Sequence, residues 1–144
     1  MTINKMDCAN THLVKQIEDE CFSHPWSLKS IEAELDKPGS CFYVAEKDGE
    51  AVGYVGFNMV LDEGYIANLA VRENFRRNGV AKSLLSKVID TAKESNLAFV
   101  TLEVRQSNTA AIALYSEFGF ALQGRRKNFY RDPVEDGLIL TKFL

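Results

Sequence analysis

An α/β domain, with a mixed sheet and helices packed on both of its faces, is the fold this sequence predicts. Three observations carry the prediction. Apolar, β-rich runs occur at residues 41–46, 51–61, 65–71 and 98–105, bounded by turn residues. Between two of them, Val80, Leu84, Leu85, Val88, Ile89 and Ala92 recur at helical spacing, with Lys82, Ser83, Ser86, Lys87 and Asp90 opposite. The predicted elements run β-α-α-β-β-β-α-β-α-β-β, an order that mixes hairpins with helical crossovers and so predicts a mixed sheet. At 144 residues the chain makes one domain with a sizeable core.

Residues 2–6 form a short first strand. From 11 to 22, Leu13, Ile17 and Cys21 recur every four residues, a helix with Thr11 near its N-cap. His24-Pro25-Trp26-Ser27 breaks it, because the residue before a proline is pushed out of the α region. Ser27 opens a second helix running to about Asp36, with Leu28, Ile31 and Leu35 on one side, and Lys37-Pro38-Gly39 ends it. The loop between these helices carries Phe22, His24 and Trp26. Its aromatic rings either staple the two helices together or line a substrate groove, and the local sequence leaves both open. Asp48-Gly49 is a strong hairpin signal, and Asp62-Glu63-Gly64 makes the next hairpin. After the central helix and the strand at 98–105, Asn108 suits an N-cap. Ala111, Ile112, Tyr115 and Phe118 form that helix's apolar stripe, and Gly119 terminates it. Residues 120–124, 128–131 and 136–143 read as closing strands.

Composition narrows the function classes. A net charge of −3, from 17 basic and 20 acidic residues, gives no general affinity for nucleic acid. Arg76-Arg77 and Arg125-Arg126-Lys127 are nonetheless local basic clusters. Cys8, Cys21 and Cys41 are widely spaced, without a C-x-x-C, and read as free thiols of a reducing cytosol. His12 and His24 belong to no H-E-x-x-H or Cys/His cluster, so no metal site is expected. Neither a signal-peptide pattern nor an apolar run of membrane-spanning length is present. The expected location is cytoplasmic, with no membrane partner.

The segment 65–92 carries the first chemistry. An apolar strand ends at Val71, a basic turn with one glycine follows (Arg76-Arg77-Asn78-Gly79), and the amphipathic helix begins at Val80. The first N–H groups of a helix lack intrahelical partners and the macrodipole adds positive potential, so an anion such as a pyrophosphate fits there. Gly79 lets a ligand approach the backbone without a Cβ in the way. Neither G-x-x-x-x-G-K-[ST] nor G-x-G-x-x-G occurs, which excludes a Walker loop and a dinucleotide fingerprint. A second candidate is Glu103, which interrupts the strand Phe99-Val100-Thr101-Leu102-Glu103-Val104 and faces away from Val100, Leu102 and Val104. A carboxylate there must be solvated, paired or functional. Tyr115 lies on the helix that follows, with a hydroxyl that needs a partner if buried.

Arg76-Arg77-Asn78-Gly79-Val80-Ala81 matches [QR]-x-x-G-x-[GA], and residues 108–120 follow N-x-x-A-x-x-L-Y-x-x-x-G-F. Both patterns resemble the signatures of the GNAT acetyltransferase superfamily, in the same order. One branch is similar over nearly the whole length: the bacterial enzymes that acetylate the N-terminal alanine of small-subunit ribosomal protein S-eighteen. Residues 20–27, 66–71, 102–105, 128–130 and 135–136 echo that branch. Gly137 and Leu140 depart from it, standing where the branch often has alanine and methionine.

The resemblance implies a GNAT fold, its mostly antiparallel sheet splayed at an acetyl-CoA site. By position it implies that Leu69, Ala70 and Val71 hydrogen-bond the pantetheine and acetyl group. Arg77, Asn78, Gly79, Val80, Ala81 and Lys82 cradle the pyrophosphate, and Asn108 contacts the CoA arm. Glu103 is the implied general base and Tyr115 the general acid, with direct transfer that leaves the cysteines out. It implies an acceptor beginning with alanine, then arginine, with Glu20, Asp62, Glu63 and Asp136 as unranked carboxylates for that arginine. A lysine side chain or small amine is the alternative acceptor, favoured if Trp26 and Tyr130 close a narrow pocket. A CoA-binding module without catalysis is the rival from another class, and Glu103 and Tyr115 stand against it.

Overall fold

In chain order the computed structural model, which describes residues 1–144, contains β1 (Thr2–Lys5), α1 (Thr11–Cys21), α2 (Leu28–Ala33), β2 (Tyr43–Lys47), β3 (Glu50–Val60), β4 (Glu63–Val71), α3 (Val80–Glu94), β5 (Phe99–Arg105), α4 (Thr109–Glu117), β6 (Ala121–Tyr130) and β7 (Glu135–Phe143). One seven-stranded sheet runs in the order β1-β2-β3-β4-β5-β7-β6. Every neighbouring pair is antiparallel except β4 and β5. The predicted element order and mixed sheet are therefore present, with short 3-10 turns added at Glu34–Asp36 and Glu73–Phe75.

Two apolar layers hold the helices to the sheet. On one face Val14, Ile17 and Ile31 of α1 and α2 pack on Phe42, Val44, Tyr54 and Ala70. On the other, the stripe Val80, Leu84, Leu85, Val88, Ile89 and Ala92 of α3 joins Val52, Val55, Phe57, Val100, Leu102 and Val104, with Tyr115 of α4 in the same cluster. The helical period of residues 80–92 thus reports real burial: all six stripe residues are buried. Burying one such side chain contributes about 1.5–3 kcal/mol.

The parallel pair is short. Only Glu63, Gly64 and Tyr65 of β4 pair with Phe99, Val100 and Thr101 of β5. Pairing stops where a bulge inserts Ala67 opposite the Gly56–Phe57 step of β3. A bulge bends its strand and increases its twist, and beyond it β4 and β5 part. The bulge also shifts side-chain parity: Ile66, Leu69 and Val71 all pack on the α3 side. Asn68 turns the other way, to Glu18 of α1.

Several boundaries differ from expectation, each for a local reason. Asn10 is the N-cap of α1, and Thr11 is its first, buried residue. The second helix is α only to Ala33 and tightens to a 3-10 turn before Pro38. Its predicted cap is in place, with Ser27 Oγ accepting from Ser30 N–H at 3.1 Å. The hairpin predicted at 62–64 turns at 61–62, where Leu61 has φ 56°, so Glu63 and Gly64 already belong to β4. The closing strand pieces 120–124 and 128–131 are one strand, β6, kinked by two register shifts against β7. No helix is long and apolar enough to cross a membrane.

Candidate active site

Backbone direction in the split sheet decides what the gap offers. Arg72 N–H bonds to Val52 C=O, so alternation turns the N–H groups of Leu69 and Val71 away from β3 and into the gap. The same alternation directs Ala70's groups at β3, opposite Tyr54. Ala70 is also buried against α1. Of the three residues expected to hydrogen-bond a ligand through their backbone, Leu69 and Val71 have N–H groups that face the gap, and Ala70 has its groups on β3. On the facing strand, Leu144 N–H bonds to Ala98 C=O; the alternation set there directs the groups of Glu103 and Arg105 into the gap from the other side.

Two cavities, of about 540 and 600 Å³, occupy this gap and share Leu69, Ala111 and Tyr115 as lining residues. The larger opens toward the start of α3. Arg77, Gly79, Val80, Ala81 and Lys82 line it, with Val71, Phe75 and Leu114. Gly79 caps α3 in the left-handed region, at φ 78°, a conformation that costs a residue with a Cβ. Arg77 is left-handed as well, at φ 65°. Arg76 Nε donates to Val71 C=O at 2.9 Å and so ties the turn to β4. Asn78 is not in the lining; its amide donates to Arg76 C=O at 3.3 Å and closes the turn. Lys82 reaches across to Glu117 of α4 at 3.2 Å.

The smaller cavity holds Glu103, Asn108 and Tyr115, walled by Phe22, Ser23 and His24 on one side and by Phe129 and Tyr130 on the other. Glu103 accepts from Arg126 Nε at 3.1 Å. Asn108 Oδ1 caps α4 through Ala111 N–H at 3.1 Å. Tyr115 is buried, edge-on to Phe120 at 5.5 Å. Burial, with a smaller contribution from Tyr130, holds its phenol well above the usual range, so it stays protonated. Arg105 pins the β6–β7 turn through Pro133 and Arg131 carbonyls at 3.0 and 2.8 Å. His24 Nε2 lies 3.2 Å from Asp132 Oδ2, spanning from the α1–α2 loop to that turn.

The open question about the aromatic loop resolves by residue. Trp26 packs on Phe42, 6.1 Å between centroids, and is absent from the lining, whereas Phe22 lines the cavity. Four carboxylates proposed for the acceptor's second residue, Glu20, Asp62, Glu63 and Asp136, also lie outside the lining. Glu20 pairs with Arg72, and Asp136 with Arg125. Arg126, Arg105 and Phe129 stood in segments noted from the sequence but without a site role, because their contacts come from β6–β7 geometry that no local pattern announces. Gly137, noted only as a departure, matters here: a Cβ on it would lie 3.1 Å from the Phe129 ring. Cys21 donates to Val71 C=O at 3.6 Å, and burial raises its pKa, which keeps it a thiol. No cluster of His, Cys, Asp and Glu could hold a metal ion.

The sheet parts beside a glycine-capped helix, and a carboxylate and a protonated tyrosine stand at the opening, an arrangement suited to acyl transfer. The chain belongs to the acetyltransferase (GNAT) family, whose model matches residues 11–120. GNAT acetyltransferases use acetyl-CoA. An Escherichia coli K12 relative, named as the alanine N-acetyltransferase of ribosomal protein S-eighteen, is 32% identical over 142 residues, 97% of this chain and 95% of its own. A Sulfolobus acidocaldarius protein named N-alpha-acetyltransferase is 39% identical over 120 residues, 74% of this chain and 71% of its own. The crystal structure of the Escherichia coli S-eighteen alanine N-acetyltransferase superposes with a TM-score of 0.92 at 30% identity, covering 99% of this chain and 92% of that one.

Proposed function

We propose that this chain acetylates the α-amino group of a protein N-terminus, its acceptor being the N-terminal alanine of small-subunit ribosomal protein S-eighteen. The observation that carries the reading is the junction of two cavities at Tyr115, with Glu103 in one and the α3 N-terminus in the other. Acetyl-CoA supplies an acyl group activated as a thioester. Arg77, Lys82 and the first N–H groups of α3 suit its phosphates, and the N–H groups of Leu69 and Val71 suit its pantetheine arm and carbonyl. An N–H aimed at the developing oxyanion contributes about 2.7–4 kcal/mol. The Asn108 amide nitrogen remains available beside the arm.

An α-amino group has a pKa near ~8 and is mostly protonated at neutral pH. Glu103 removes that proton, directly or through one water. The free amine then attacks the carbonyl, the Tyr115 hydroxyl protonates the departing thiolate, and the second proton that nitrogen loses as the amide forms returns to the Tyr115 oxygen. Arg126 Nε donates to the Glu103 carboxylate and so restrains it. The small-amine alternative called for a narrow pocket closed by Trp26 and Tyr130; Trp26 packs against the core on Phe42 instead and does not line the cavity. The test is acetylation of a peptide starting Ala-Arg, set against one starting Ala-Glu, a blocked peptide with an internal lysine, and spermidine. Rapid turnover of Ala-Arg supports the reading, and preference for the lysine peptide or the polyamine overturns it.

A further inference from the structure

Glu18 is the buried carboxylate that this mechanism does not use. On α1, it is 1% exposed, yet its carboxyl takes donors from three other segments. Oε1 accepts from Trp26 N–H at 2.9 Å, in the loop after α1. Oε2 accepts from the Tyr54 hydroxyl on β3 and from Asn68 Nδ2 on β4, the latter at 3.0 Å. Asn68 also donates to the Tyr54 oxygen at 3.2 Å, which closes the network. The tyrosine stays a donor: burial, then the neighbouring carboxylate, raise its pKa.

The placement of these bonds is what gives them a consequence for binding. Phe22 N–H bonds to the backbone C=O of Glu18 at 3.0 Å, and Trp26 N–H to its side chain. Phe22, Ser23 and His24, one wall of the acceptor cavity, are therefore bracketed by one residue. Asn68, with Ala67 and Leu69, lines that cavity from β4. The same carboxyl thus holds two walls, although it lines neither cavity. We infer that Glu18 is a positioning residue for the acceptor: it sets the distance between the α1–α2 loop and the β4 bulge, and so the fit of the incoming chain. The inference rests on the acceptor reading above for its kinetic arm only.

Glu18→Gln tests it. A backbone N–H cannot turn round, so the new amide must keep its oxygen on Trp26 and present N–H to Tyr54 and Asn68; Asn68 must then flip its own amide to accept, and the bonds that a carboxylate made charge-assisted become neutral ones. Expected is a rise of about tenfold or more in peptide KM, the loss of a charge-assisted bond. The value of kcat and the thermal shift caused by acetyl-CoA should stay near wild type. Adding Asn68→Asp supplies an acceptor for that N–H and should recover most of the KM. Val14→Ala, in the same buried cluster, serves as a stability control and should leave KM alone. A folded Glu18→Gln protein with wild-type KM overturns the inference, and so does an equal rise in Val14→Ala. Hydrogen exchange of the wild-type protein gives a readout independent of folding defects. The Trp26 amide should exchange as slowly as amides inside α1, and exchange at the rate of an open loop overturns the inference. If wild-type protein turns over no N-terminal peptide, the acceptor reading fails, while the Trp26 amide still decides whether Glu18 holds the wall.

Discussion

At the scale of residues, the proposed chemistry turns on Glu103, which accepts from Arg126 Nε at 3.1 Å, and on Tyr115, buried against Phe120. Glu103 stood out because a carboxylate interrupts an apolar strand, and Tyr115 because a motif places it. Neither pattern reveals that Arg126, 23 residues away, is the partner of Glu103. Nor does it show that burial holds the Tyr115 proton in place. Glu103→Gln is expected to lower kcat by ~10²–10⁴-fold, the usual contribution of a general base, with acetyl-CoA binding little changed. Raising the pH should recover part of that loss, because more of the amine is then neutral unaided. Tyr115→Phe should lose a similar factor at the thiolate-departure step, without rescue by pH. Wild-type kcat in either variant would make that residue structural.

At the scale of elements, the α3 N-terminus and the β6–β7 hairpin are the parts that respond most to a single change. Gly79 sits at φ 78° with open space where a Cβ would be, so a substitution there strains the backbone without a clash in the core. Gly79→Val should leave the protein folded and abolish most of the thermal shift given by acetyl-CoA. The expected wild-type shift is several degrees, since ligand at ~100 times its Kd contributes about 2.7 kcal/mol. The hairpin responds to pH. Hydrogen bonding from Ser107, then Arg105, lowers the Glu135 pKa, and the Asn128 N–H followed by Arg125 lowers that of Asp136. Carboxyls with folded pKa values below their unfolded ones stabilise the fold above the unfolded values, ~4.3 and ~3.9. That contribution disappears as the pH falls through the lowered folded values. Acid unfolding followed by circular dichroism should therefore be shallower below about pH 4 in Glu135→Gln/Asp136→Asn than in the wild type.

At the scale of the whole molecule, the site exists because β4 and β5 pair for three residues and then separate. The separation leaves the N–H groups of Leu69 and Val71 without ladder partners, while Ala70 remains bonded to β3. Hydrogen exchange should reflect that pattern. The Leu69 and Val71 amides should exchange quickly in the free protein and become protected when acetyl-CoA binds, with Ala70 slow in both states. Equal protection of all three in the free protein would mean that the sheet is closed.

The sequence by itself determined the element order, the buried stripe of α3, the two signature segments and the side of β5 on which Glu103 lies. All of these follow from periodicity and local backbone preference, which act over a turn or a strand and are therefore written locally. The tertiary structure decided where the sheet opens, which strand amides face the opening and that Ala70's do not. It also decided that Trp26 packs inward while Phe22 lines the cavity, and that Glu18 joins α1, the loop after it, β3 and β4. Those outcomes depend on one bulge at Ala67 and on hydrogen bonds between residues up to 50 positions apart. A bulge shifts the register of every residue beyond it, and neither it nor a long-range bond leaves a repeat in the sequence to read.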